Sequence, residues 1–438
     1  MVKYVGMRFI DLFAGIGGFH QALARLGHEC VFASEKKENL ARLYLENYGL
    51  DPNRNIRAIP PTDIPDHDIL CAGFPCQPFS KAGNQQGLED KNNGSFFDII
   101  VEILNEKRPG YFILENVKNI ETHDEKKTFA YMLQKLNEIG YHVDRKVMSP
   151  HQYNIPQHRE RLFIIGSLNP LENFEWPQPV ELVNTVHGFL NNTNAKPVEL
   201  ERQQVIQIWQ EFIDNLPADK KLPGFPIWSF EFGATYPTHV AISELKNEEL
   251  ENYRGNFGVP LRGMTYEEKL NHLPGYAVKN KEKKVYPPWK IRWINENRQL
   301  YADNKKQLGP VVKKIKRLPN RSWQKFEWNC GDVARNINDY IIQFRASGVR
   351  IKRADFFPSL VTVSTQIPII GWQNRYITVE EGARIQSFEN IVLPDVIGAS
   401  FGALGNAVNA ELVHLIASNL LPVEAPIEPP LLAAVNNI

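Results

Sequence analysis

Residues 8–20 read RFIDLFAGIGGFH. Arg8–Phe13 is a β-rich run, Gly15, Gly17 and Gly18 crowd the next stretch, and a helical pattern continues from His20 to Leu26. A glycine-rich turn between strand and helix lets a ligand approach the backbone and meet the positive end of the helix. The dinucleotide fingerprint needs a third glycine where this chain has His20, which disfavours a nicotinamide cofactor. Glu35 ends the next β-rich run, Cys30–Ser34. An acidic side chain in that place accepts from ribose hydroxyls, so an α/β nucleoside-cofactor site is expected.

The same rhythm continues outward. Further β-rich runs occur at Asp68–Ala72, Tyr111–Leu114, His142–Val147 and Arg161–Ile165, with helical patterns between them, such as Phe129, Met132, Leu133, Leu136 and Ile139. Strands alternating with helices imply right-handed crossovers and parallel pairing, hence a doubly wound, mostly parallel α/β sheet. Ligands of such sheets bind outside the carboxyl ends of the strands. After about residue 168 the alternation stops. Pro170, Pro177, Pro179 and Pro197 punctuate a polar stretch, and the following residues read as irregular α+β with one helical pattern, Val198–Leu216. Helical patterns resume at Val379–Gln386 and Asn406–Leu421. The expected organisation is a first part over 1–180, an inserted smaller α+β domain over 181–375, a returning part over 376–422, and an extended tail over 423–438.

The chain has 438 residues, 43% of them hydrophobic and 11% aromatic, with 50 Lys+Arg against 50 Asp+Glu. That length and composition exclude general disorder and allow two domains. No run reaches the length of a membrane span, and no secretory signal precedes Arg8, so a cytoplasmic protein is expected. Cys30, Cys71, Cys76 and Cys330 form no CxxC pair, which argues against a structural zinc site or a disulfide framework. The balanced charge conceals an asymmetry. Lys279 to Arg353 holds 20 Lys+Arg against 6 Asp+Glu, together with Trp289, Trp293, Trp323 and Trp328. A solvated lysine-rich surface accounts for this composition; so does a surface that replaces counterions on a phosphate backbone.

Three further motifs sit at strand ends. Gly73-Phe74-Pro75-Cys76-Gln77-Pro78-Phe79-Ser80 follows the run DILCA, and the flanking prolines restrict the backbone around the thiol. A cysteine there is placed as a nucleophile if its pKa is lowered. Glu115 and Asn116 follow YFIL, where partial burial favours a raised carboxyl pKa and proton donation. Gln157-His158-Arg159-Glu160-Arg161 precedes LFIIG and offers two guanidinium forks. Singly, each has an ordinary structural role; together they converge on one edge of one sheet.

DLFAGIGGF, GFPCQPFS, ENV and QHRERLF, in that order, resemble the ordered motifs of the DNA cytosine-5 methyltransferases of bacterial restriction–modification type. The resemblance resumes at Arg375-Tyr376-Ile377-Thr378, Ala383-Arg384-Ile385-Gln386 and Gly405-Asn406-Ala407-Val408. It implies a Rossmann-like S-adenosylmethionine-dependent methyltransferase domain with an inserted target-recognition domain, and a DNA cleft between them. Phe13, Gly15, Gly17, Asn55, Ile56 and Pro75 would line the S-adenosylmethionine pocket, with Glu35 on the ribose and Asn406 at the methionine end. Cys76 would add to C6 of a flipped-out cytosine, Glu115 would hydrogen-bond N3 and the exocyclic amine, Arg161 would hold O2, and Arg159 would orient the site. No metal is implied.

Two positions depart from the family pattern. Asn55 stands where an aspartate usually takes the adenine amine, and Lys36 stands where an aromatic residue often follows Glu35. Both point to weaker cofactor affinity. The basic middle region corresponds to the segment that supplies target recognition, with Arg292, Arg298, Arg317, Arg321 and Lys325 as candidate contacts to double-stranded DNA. The implied enzyme acts as a monomer beside a cognate restriction endonuclease that is a genetic and not a physical partner. A transfer-RNA methyltransferase on the same scaffold and a catalytically silent DNA-binding regulator are the competing readings. The basic insertion speaks against the first, and the presence of Cys76, Glu115 and Arg161 against the second.

Overall fold

The computed structural model describes residues 6–52, 55–75, 96–191, 195–278 and 286–422. Contacts divide the chain into two compact units, one drawn from Met1–Asn191, Asp355–Ser364 and Thr378–Ile438, the other from Asn192–Ala354 and Thr365–Ile377.

The first unit is built on a six-stranded sheet. Its elements are β1 (Arg8–Leu12), α1 (Gly18–Ala24), β2 (Glu29–Ser34), α2 (Glu38–Tyr48), β3 (Ile69–Gly73), α3 (Phe96–Lys107), β4 (Tyr111–Val117), α4 (Lys127–Glu138), β5 (His142–Met148), β6 (Gln157–His158), β7 (Arg161–Ser167) and α5 (Val186–Phe189). The sheet order is β2-β1-β3-β4-β7-β5. β1 pairs in parallel with β2 and β3, and β3 with β4. β7 runs antiparallel between β4 and β5, so the sheet is mostly but not wholly parallel. The cause is the connection: only residues 149–160 join β5 to β7, and no crossover helix lies among them. A parallel return needs such a crossover.

The strands alternate between two cores, as a period of two requires. Ile10, Leu12, Leu70, Ala72, Phe112 and Leu114 face α3 and α4 through Ile100, Ile103, Leu104, Phe129, Met132 and Leu136. Phe9, Ile69, Cys71, Ile113, Phe163 and Ile165 face α1 and the last helix of the unit. Burial on both faces explains why these strands read as apolar runs, broken within β1 only by the buried Asp11. That last helix is α14 (Ala410–Leu420), preceded by α12 (Val379–Ile385) and α13 (Ile397–Asn406). It packs Leu412, Val413, Ile416 and Ala417 against Phe19, Ala22 and Leu23 of α1. The sequence reading ran 181–375 as one insert. Residues 355–364 instead return to this unit, where β12 (Phe357–Pro358) pairs in parallel with β6.

The second unit carries its own mixed sheet. The strands β8 (Ile227–Trp228), β9 (Lys325–Asn329), β10 (Ile341–Arg345), β11 (Gly348–Lys352), β13 (Ile369–Ile370) and β14 (Arg375–Tyr376) lie in the order β14-β13-β10-β11-β9-β8. Helices α6 (Leu200–Asp214) and α11 (Lys305–Lys316) cover it, burying Trp209, Phe212, Leu308, Val311 and Ile315 against Phe326, Ile342 and Ile351. Three short helices, α7 (Asn247–Leu250), α8 (Tyr266–Asn271) and α9 (Gly275–Val278), join α10 (Pro288–Asp303) around a smaller core that includes Tyr236, Leu250, Leu273 and Ile294. Among the described residues, no helix is long and apolar enough to cross a membrane.

Candidate active site

β1 hands over to a turn held by three left-handed residues, Phe13 (φ 57°), Gly15 (φ 58°) and Gly17 (φ 82°). The Ala14 amide donates to the Ser34 carbonyl at 2.9 Å, which ties the turn to the end of β2. Glu35, 8% exposed, accepts from the Gly15 amide through Oε2 (3.0 Å) and from the Lys37 amide through Oε1 (2.7 Å). Each carboxylate oxygen has a second lone-pair site. Glu35 therefore fixes the turn and can still accept from a ligand.

Phe13, Gly15, Glu35, Asn55, Ile56 and Pro75 line one cavity of about 450 Å³ within the first unit. Asn55 Oδ1 also accepts from the Arg57 amide (3.4 Å), capping its own turn. Gly17 does not line the cavity; a Cβ there would run into the Tyr48 ring. Cys76 lies outside the described residues, directly after Pro75 on the cavity wall. The approach to it is anchored by Asn116, whose Nδ2 donates to the Phe74 carbonyl (3.3 Å).

Glu115, Arg159, Arg161 and Asn406 complete the wall. Glu115 is 8% exposed, and its Oε1 lies 3.0 Å from Arg161 Nε. Burial pushes its carboxyl above the ordinary range, against the opposing pull of Arg161 and Arg159. Such a group holds a proton at a pH where a free carboxylate has lost it. Arg159 is buried. Its Nη2 donates to the carbonyls of Gly405 (2.9 Å) and Ala407 (3.0 Å), either side of Asn406, and its Nη1 to Leu360 (3.4 Å). The resemblance gives Arg159 the role of orienting the site; in the structure it clamps the returning segment.

The sequence reading missed Phe96, the first residue of α3. It lines the cavity, meets the Phe13 ring edge-on (5.0 Å between centroids) and lies under the Arg57 guanidinium (4.0 Å). Its only sequence signal was an aromatic at a helix start downstream of the Cys76 motif.

In the second unit Arg292, Arg317 and Arg321 are exposed. Arg298 is not offered to solvent in the same way: its guanidinium pairs with the fully buried Glu231 (3.0 Å) and donates to the Tyr236 carbonyl (3.0 Å), while Tyr236 and Tyr276 hydroxyls donate to the same carboxylate. Releasing the guanidinium to a phosphate would leave the buried Glu231 carboxylate with the two tyrosine hydroxyls and no cation, at a cost of about 3–5 kcal/mol. Arg298 is thus a structural ion pair. Lys325 Nζ donates to the Ala346 carbonyl (2.8 Å), and burial lowers its pKa. Among the described residues no group of three or more His, Cys, Asp or Glu could hold a metal ion.

The chain is 40% identical over 223 residues to the Type II methyltransferase M.HhaI of Haemophilus parahaemolyticus, a match covering 50% of this chain and 68% of that protein. It is 28% identical over 433 residues to the Type II methyltransferase M.BanI of Aneurinibacillus aneurinilyticus, covering 94% and 95%. Its fold is similar to that of the Entamoeba histolytica methyltransferase EhMeth, with a TM-score of 0.51 at 14% identity over 95% and 98% of the two chains. The match to the C-5 cytosine-specific DNA methylases extends over residues 7–421, nearly the whole chain, and the protein belongs to that family.

Proposed function

We propose that this protein methylates C5 of a cytosine in a specific double-stranded DNA sequence, with S-adenosylmethionine as donor. The observation that carries the reading is the shared cavity: the Gly15–Glu35 pair and the Glu115–Arg161 pair line one space. The donor set fits the cofactor. Glu35 keeps acceptor capacity for ribose hydroxyls, Phe96 and Ile56 offer apolar surface to a purine, and Asn406 lines the same cavity with Gly18 and Val408.

Carbon 5 of cytosine is a poor nucleophile, and the chain's residues are proposed to remedy that. The Cys76 thiolate adds to C6 while Glu115 donates a proton towards N3, so that electron density moves to C5. Arg161 holds O2 and, being cationic beside Glu115, fixes the carboxyl on the base edge. S-adenosylmethionine, when bound, would supply the electrophilic methyl group that C5 takes, with the electrons of the broken S–CH3 bond staying on the sulfur of the departing thioether. Loss of the C5 proton to water then expels Cys76 as thiolate, and N3 returns its proton to Glu115, which restores the ring. The reacting carbon is closed off inside a stacked duplex, so the base must leave the stack. Exposed Arg292, Arg317 and Arg321 are proposed contacts of the target-recognising part. The Type II names of the relatives support a protective role in a bacterial restriction–modification system; a cytoplasmic monomer with a cognate endonuclease as genetic partner completes the proposed reading.

The test is transfer of labelled methyl from S-adenosylmethionine to mixed-sequence duplex DNA and to bulk transfer RNA in parallel. Label recovered as 5-methylcytosine in DNA, and lost in Cys76→Ala with cofactor binding retained, is the expected result. Label only in RNA overturns the substrate, and turnover in Cys76→Ala overturns the mechanism.

A further inference from the structure

The turn after β1 has three left-handed residues among the five from Phe13 to Gly17, and Phe13 is not glycine. A non-glycine residue held in that region is costly and persists only where its surroundings over-determine it. On the cavity side the support is Glu35, through the Gly15 amide. On the opposite side it comes from α2. The Tyr48 hydroxyl lies 3.0 Å from the Ile16 carbonyl and 3.2 Å from the Gly17 carbonyl, so a single proton is shared between the two. Its ring occupies the space where Gly17 has no Cβ.

Tyr48 is itself held. The His20 ring stacks on it, 4.0 Å between centroids and 15° between planes, and Tyr44 meets it edge-on at 4.8 Å. His20 Nδ1 is 2.7 Å from the Tyr44 hydroxyl, which in turn lies 3.4 Å from the buried Asp11 carboxylate of β1. Burial pushes the Tyr48 phenol upward, so it stays a donor across the working pH range. The consequence is directional. Ala14, Gly15 and Gly18 line the cavity, whereas Ile16 and Gly17, whose carbonyls take the Tyr48 proton, do not. A turn freed from Tyr48 can rotate those carbonyls, and with them the neighbouring amides, relative to the cavity wall.

We propose that Tyr48, braced by His20, is a positioning residue that holds the glycine turn in its cofactor-binding conformation without touching the cofactor. The inference rests on the assignment of the cavity to S-adenosylmethionine. It differs from that assignment in placing a determinant of affinity behind the turn, on a residue that does not line the site.

The experiment is equilibrium binding of S-adenosylmethionine to the full-length protein and to Tyr48→Phe, followed by steady-state methyl transfer. Phenylalanine keeps the ring against Gly17 and His20 and removes only the hydroxyl. One net hydrogen bond corresponds to roughly a three- to tenfold loss of affinity. The half-saturating cofactor concentration should rise by that factor, with kcat and the KM for DNA within about twofold. A general loosening of the fold would lower kcat as well. Gly17→Ala, which drives a methyl into the same ring, should move cofactor affinity the same way and serves if Tyr48→Phe folds poorly. Equal cofactor affinity in wild type and both variants overturns the proposal alone. No saturable binding by the wild type overturns the reading of the cavity and the proposal together.

Discussion

Arg161 reaches diagonally across the β4–β7 ladder to Glu115. Arg161 pairs with Val117 and Phe163 with Glu115 in the antiparallel register, and the side chains close the gap to 3.0 Å. Antiparallel neighbours two residues apart share a face, and long side chains span that distance. The antiparallel insertion of β7 is therefore what delivers a guanidinium to the carboxyl end of β4.

That geometry gives a signed pH prediction. Burial raises the Glu115 pKa and Arg161 opposes the rise. If Glu115 acts as the acid, the single-turnover rate falls as pH rises through its pKa. Arg161→Ala removes a lowering charge, so the limb should move to higher pH while the maximal rate drops. Glu115→Gln, which cannot release a proton, should lose the limb altogether and slow the step by about 10²-fold or more. A limb that stays in place in both variants assigns it to another group.

Arg159→Met tests the clamp on the returning segment. The substitution keeps bulk but leaves the carbonyls of Gly405, Ala407 and Leu360 without their cationic donor. Hydrogen bonds to charged groups contribute about 1.5–3 kcal/mol each before partial replacement by water. Unfolding should therefore come at lower denaturant, by about 2–4 kcal/mol in all, and the KM for S-adenosylmethionine should rise through the displaced Asn406. A variant as stable as wild type means that those carbonyls find other partners.

Phe96 answers the departure at Lys36. The aromatic surface missing after Glu35 is available from the start of α3, where Phe13 and Arg57 hold the ring. Phe96→Leu should weaken cofactor binding by roughly three- to tenfold, the value of one aromatic contact, with little effect on kcat. Unchanged binding would show that the purine is held elsewhere.

How much of this was legible follows from which interactions are local. Arg8–Phe13, Asp68–Ala72 and Tyr111–Leu114 announced themselves because burial on both sheet faces makes a strand almost continuously apolar, with the buried Asp11 as the break in β1. Glu35 and Glu115 were found because they end such runs. The register of β7 was hidden, since the sequence shows a strand but not its direction. The α10–α11 pair was read as irregular: Gly309 and Pro310 sit inside α11, and α10 buries only Ile294 and Asn297. The ion pair of Arg298 was hidden because Glu231, its partner, is remote in sequence and carries no motif. Tyr48 and Phe96 matter only through contacts that the fold creates.

His20 provides the last test, because it links stability to the turn. Burial pushes its imidazole down to about 4, below the ordinary value of 6.5, and the ring is neutral between Tyr48 and the Tyr44 hydroxyl. A histidine that is harder to protonate when folded adds stability that is complete above about pH 6.5 and is lost as pH falls towards about 4. Its size is on the order of 2–3 kcal/mol. The unfolding free energy of wild type relative to His20→Gln should therefore shrink by that amount between pH 7 and pH 4. Asp11 and Tyr44 adjoin the ring, and the raised Asp11 pKa works in the opposite sense, so the difference between variants and not the raw wild-type curve isolates His20. Protonation also places a charge beneath Tyr48, so acid should weaken cofactor binding in wild type more than in His20→Gln. Parallel curves for the two proteins would mean that His20 titrates as it does in water and braces nothing.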